Sequence, residues 1–199
     1  MINATARTSH VEPAGEALLP RGRVGMVCLI ATEAALFSIF VVAYLFYIGK
    51  SLIGPYPAQV LEVPIVPTIC LLASSATIML AERALGQGYG VLFKGWWFLT
   101  ILLGVAFLRA TAVEWYRLIF VHHLTISTNL FGTTFYSLVG FHAMHVTVGL
   151  ILLTLVLILS LCGYVTLAQR ERVAVLSLYW HFVDVVWIVV FLVVYVIGR

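Results

Sequence analysis

Charge is what this sequence has least of. Only 10% of its 199 residues are Asp, Glu, Lys or Arg, against roughly 25% in a soluble domain. Hydrophobic residues make up 63% and the mean hydropathy is +1.10, where soluble domains carry about 45–50% apolar residues. A water-soluble globule is excluded, because a core of this size would leave far too much apolar surface in water. The net charge of +3 is scattered among loops rather than gathered into a patch, so nucleic acid is not an expected partner. Cysteine is scarce as well. Cys28, Cys70 and Cys162 lie far apart, each inside a hydrophobic stretch, which gives neither a disulfide framework nor a CxxC metal site. Residues 1–22 hold two Arg, two Glu and two Pro with no long apolar run. They read as a polar tail, and no signal peptide is expected.

Long apolar runs are what the chain does have. Five stretches reach the roughly 20 helical residues that a hydrocarbon core of about 30 Å requires. They cover about 24–48, 63–85, 96–115, 131–162 and 173–197. Lipid offers no partner to unpaired backbone groups, so each span has to be a helix. The expected fold is an all-α integral membrane bundle of five helices, a single membrane domain over 23–199. The linkers are too short for an extramembrane domain. With five spans, the side holding the N-terminus has seven basic residues (Arg7, Arg21, Arg23, Arg83, Lys94, Arg170 and Arg172). The other side has Lys50, Arg117 and Arg199, with Arg109 as a fourth if it snorkels from within the third span. Positive charge collects on the cytoplasmic face, so the N-terminus is expected in the cytoplasm and the C-terminus outside.

Ionisable groups inside spans are costly and mark candidate functional positions. Glu33 sits nine residues into the first span, roughly 14 Å deep at 1.5 Å per residue. It could handle protons or contact lipid, or it could simply be hydrogen-bonded to a neighbouring helix. His142 and His145 share one face of the fourth span, His181 and Asp184 one face of the fifth, and Glu114 ends the third. Di-metal helix bundles use Glu-x-x-His on two helices with two further carboxylates. His-x-x-His and His-x-x-Asp match that poorly, so no metal site is expected. A haem needs ligands on opposite faces of its iron, which His142 and His145 cannot both supply, although either could pair with His181 across helices. The simpler reading is a structural polar network in which these side chains tie helix to helix. Ala73, Thr77 and Ala81 are spaced for close helix packing, as are Gly140, Ala143 and Thr147. Trp96, Trp97, Trp115 and Tyr116 stand at span ends, as interface belts do.

Several segments also resemble one family. The run Gly140-Phe141-His142-Ala143-Met144-His145-Val146 resembles the GFHGxHV signature of haem–copper oxidase subunit III, and Tyr179 to Trp187 spells that family's YWHFVDVVW without a change. Gly25-Met26 through Glu33 is similar to its GMxxFIxSE stretch, Leu72 to Thr77 to its LLxSSxT helix, and Thr111 to Tyr116 to its QAxEY helix end. The matches fall in family order after residue 22, and the length resembles the short five-helix bacterial form. The resemblance implies a non-catalytic accessory subunit of a respiratory terminal oxidase in the bacterial inner membrane. Such a subunit packs on catalytic subunit I beside other subunits. It binds phospholipid, leaves haem and copper to its partner, and supports proton uptake and turnover stability. Glu33 matches the family's carboxylate near the lipid cleft; Glu114, His142, His145, His181 and Asp184 match polar positions holding the helices together. Asn129, where many members are acidic, and Ala143, where glycine is common, leave the donor open between cytochrome c and quinol. The accessory protein of nitric oxide reductase shares the same motifs. A membrane b-type cytochrome and a proton-coupled carrier using Glu33 and Asp184 are the readings from other classes.

Overall fold

The computed structural model describes residues 21–51 and 54–198. The polar tail expected over residues 1–22 lies outside the described residues as far as residue 20. Among the described residues there is no strand. The elements are α1 (Arg21–Tyr47), a single turn α2 (Pro57–Val60), α3 (Ile65–Gly86), α4 (Gly90–Phe120), α5 (Leu130–Leu161) and α6 (Arg170–Phe191). A 3₁₀ turn, Leu167–Gln169, leads into α6, and a π-helical segment, Leu192–Ile197, continues it. Among the described residues five helices are long and apolar enough to cross a membrane: α1, α3, α4, α5 and α6 with its two extensions.

Helix α4 starts at Gly90, six residues before the expected Trp96. The four glycines of 86–95 suggested a long loop, yet only Gly88 needs a left-handed backbone (φ 81°). Its N–H reaches Leu85 O at 3.1 Å and that of Tyr89 reaches Ala84 O at 2.9 Å, a Schellman ending that closes α3 and turns the chain straight into α4. At the opposite end, the Asn129 side chain accepts from Gly132 N at 2.8 Å and donates to Pro55 O at 3.2 Å. This caps α5 and fastens the α1–α3 connection to it.

Lipid tails solvate leucine as well as a neighbouring helix does, so close packing and hydrogen bonds must hold the bundle together. Tryptophan supplies both. Trp180 is fully buried and its Nε1 donates to Ser74 Oγ on α3 at 2.9 Å. Its ring lies so close to Gly104 on α4 and Gly149 on α5 that a Cβ at either position would approach it to 3.0 Å or less. Trp187 Nε1 reaches Thr68 Oγ1 on α3 at 3.1 Å, and Trp97 Nε1 reaches Leu153 O on α5 at 2.9 Å. Trp97 is therefore a core residue and not an interface anchor, because its indole finds a carbonyl inside the bundle. The small-residue seam of α3 also differs from the expectation: Ser74, Thr77, Ala81 and Ala84 are buried while Ala73 is exposed. A strict four-residue spacing drifts around a helix of 3.6 residues per turn, whereas steps of three, four and three hold one face. On α5 Gly140 does pack closely, a Cβ there coming within 3.2 Å of Trp115 on α4, but Thr147 is exposed and Gly149 makes the closer approach to Trp180.

Candidate functional site

The polar residues singled out within the spans form separate centres rather than one network. The first joins α1 to α5. His145 Nε2 lies 3.2 Å from Glu33 Oε2, and His145 Nδ1 lies 2.8 Å from the backbone O of Phe141. A carbonyl can only accept, so Nδ1 carries a proton. The contact between Nε2 and Glu33 then needs one more, held either as imidazolium against carboxylate or as carboxylic acid against neutral imidazole. The pair is a site for one shared proton. The Glu33 side chain is 24% exposed and that of His145 8%, and the rings of Phe37 and Phe141 stand 5.1 and 4.6 Å from the imidazole.

The second centre joins α3 to α6. Ser75 Oγ donates to Asp184 Oδ2 and lies 3.0 Å from His181 Nδ1. A hydroxyl has one proton, so with that proton given to Asp184 the imidazole must donate to Ser75. The donors then run in one direction, from His181 through Ser75 to Asp184. His181 and Asp184 are thus linked by a serine on another helix, not by the intrahelical contact their spacing suggested. The second oxygen of Asp184, Oδ1, has no hydrogen-bond partner among the described residues.

The third centre joins α4 to the π-helical segment: Tyr195 Oη lies 3.0 Å from both oxygens of Glu114 and donates its one proton to that carboxylate. His142 belongs to none of these. It is fully buried and neither ring nitrogen has a hydrogen-bond partner among the described residues. Its ring stacks on Trp187 at 5.1 Å with Phe107 edge-on at 5.9 Å, so it serves as an aromatic packing element. Among the described residues no group of three or more His, Cys, Asp or Glu side chains is placed to hold a metal ion. His142 and His181 have different neighbours, one Trp187 and the other Ser75. Sequence reasoning missed Ser75 and Tyr195 as partners. Ser75 stood inside a quoted motif, but nothing singled it out from Ser74, and Tyr195 carried no signal beyond its place in the last span.

The family Cytochrome c oxidase subunit III matches residues 4–199. The chain belongs to this family. Cytochrome c oxidase subunit 3 of Alkalihalophilus pseudofirmus is 34% identical over 177 residues, covering 88% of this chain and 86% of the relative. That of Synechocystis sp. is 35% identical over 179 residues, with 87% and 74% covered. That of Corynebacterium diphtheriae is 42% identical over 146 residues, with 70% and 69% covered. The protein is a multi-pass membrane protein and a terminal oxidase subunit III, which associates with other oxidase subunits.

Proposed function

We propose that this chain is the non-catalytic subunit that packs against catalytic subunit I, leaves haem and copper to that partner, and holds phospholipid while supporting proton uptake and turnover stability. The observation that carries the reading is the Glu33–His145 pair, a one-proton site set about midway along an apolar helix. That helix, α1, buries only Phe37 and Tyr44 of its 27 residues, so it has the surface to receive lipid or a partner beside the carboxylate. The basic ends of α1 and α6 meet where Arg23 lies 3.7 Å from Glu171, which supports placing the N-terminus in the cytoplasm and the C-terminus in the periplasm.

The test is Glu33→Gln in the native complex. The introduced amide still reaches His145 but can neither take up nor release the shared proton. The expected result is normal co-purification with the haem-bearing partner and an initial oxygen-reduction rate within about twofold of wild type. Activity should then decay several-fold faster during turnover. Unchanged endurance, or loss of the whole complex, would remove the proton-related role from Glu33.

A further inference from the structure

Arg109 lies within an apolar stretch of α4, exposed, and among the described residues it has neither an ion pair nor a hydrogen bond. Its neighbours in charge are all engaged. Arg117, two turns along, holds Glu62 through two bonds of 2.9 and 3.0 Å, and Glu114 is held by Tyr195. A cation left alone at membrane depth is costly and is ordinarily matched by an anion.

Arg109 opens into a cleft of about 570 Å³ between α4 and the start of α3. The wall is aliphatic at Pro64, Ile65, Val66 and Pro67, with Val113 beside the arginine, and polar at Glu62, Glu114 and Arg117, whose side chains are already engaged. Ile65 and Val66 are 60% and 71% exposed, so the wall has no cover from the chain itself. The depth of the cleft follows from α3. Its 22 residues rise roughly 33 Å at 1.5 Å each, barely more than a hydrocarbon core of about 30 Å, so its first turn must lie at one boundary of that core. A cleft walled by that turn has headgroups on one side and acyl chains on the other. Its size also selects the occupant. A cleft of about 570 Å³ falls within the roughly 300–1,000 Å³ of small-ligand sites, which suits a lipid headgroup and its first methylenes.

We propose that this cleft binds a membrane phospholipid by its phosphate. The planar guanidinium of Arg109 pairs with the phosphate oxygens in the two-pronged geometry that arginine favours, and Ile65, Val66 and Val113 line the path of the chains. The site is separate from Glu33, since neither α1 nor α5 contributes a residue to its wall.

Native mass spectrometry of the detergent-solubilised complex tests this. The probes are phosphatidylglycerol, phosphatidylethanolamine, a phosphate-free galactolipid, and oleate as a carboxylate. The wild type should retain one more phospholipid than Arg109→Gln, whose occupancy falls at least fivefold, and Arg109→Lys should keep most of it. Val113→Trp fills the cleft without touching the charge and should lose the same lipid, which keeps the test decisive even where Arg109→Gln assembles poorly. Equal occupancy in wild type, Arg109→Gln and Val113→Trp would overturn the site. Retention of galactolipid or oleate as firmly as phospholipid would overturn the phosphate assignment. Failure of the wild-type chain to co-purify with a haem-bearing partner would instead strike the accessory reading, and leaves the lipid count on the chain readable.

Discussion

Helices α1 and α6 are both long and apolar, yet the bundle treats them differently. On α6, Trp180 and Trp187 donate to α3, Tyr179 Oη donates to His145 O on α5 at 3.3 Å, and His181 and Asp184 meet Ser75. Inside its span, helix α1 has the contact between Glu33 and His145 to set beside these, and Val27, Ile39, Val42 and Phe46 are more than half exposed. The contrast shows what organises a bundle dissolved in lipid. Burial of apolar surface gives no strong preference between a neighbour helix and an acyl chain, so indole, hydroxyl and carboxylate groups decide which helices are locked together. Helix α6 is locked. Helix α1 is the more exposed, and the side chain of its one carboxylate, Glu33, is 24% exposed.

Breaking the locked side should have the largest effect. Trp180→Ala removes the donor to Ser74 and leaves a void between Gly104 and Gly149, and should cost about 3 kcal/mol, within the range for truncating a buried aromatic. Unfolding in mixed detergent micelles measures it. A cost near zero would mean that α6 is not held by this residue. Ser75→Ala comes next. It strands both His181 and Asp184, and its loss should be about 1–2 kcal/mol, at the upper end of interhelical hydrogen bonds in membranes. Asp184→Asn keeps an acceptor for Ser75 and should cost less in the same assay. On the open side, Glu33→Gln should change stability by no more than about 0.6 kcal/mol, its effect falling on turnover endurance instead. If its stability loss matched that of Trp180→Ala, the distinction between a locked and an open helix would fail.

How far the site was legible in the sequence depends on the residue. Glu33, His145, His181 and Asp184 stood out because an ionisable group in an apolar run is expensive wherever the chain places it. Ser75 did not, because a serine costs little in a helix and becomes a bridge only when His181 and Asp184 arrive from more than a hundred residues away. His142 shows the opposite error. Three residues before His145 and equally conspicuous, it packs against Trp187 and makes no hydrogen bond among the described residues. The small-residue seam of α3 was displaced for a related reason, since spacing alone does not say which of two adjacent faces a neighbour will cover.

Composition and run length by themselves determined the five membrane-crossing helices, because lipid leaves a backbone no alternative to pairing with itself. The ordered motifs along them pointed to the subunit III family. Only the tertiary structure decided which polar groups meet. Glu33 shares a proton with His145, Ser75 gathers His181 and Asp184, and Tyr195 takes Glu114. Arg109 is left facing a cleft with no partner among the described residues. Each pairing depends on the distance between helices remote in sequence, and a local pattern of residues carries no record of that distance.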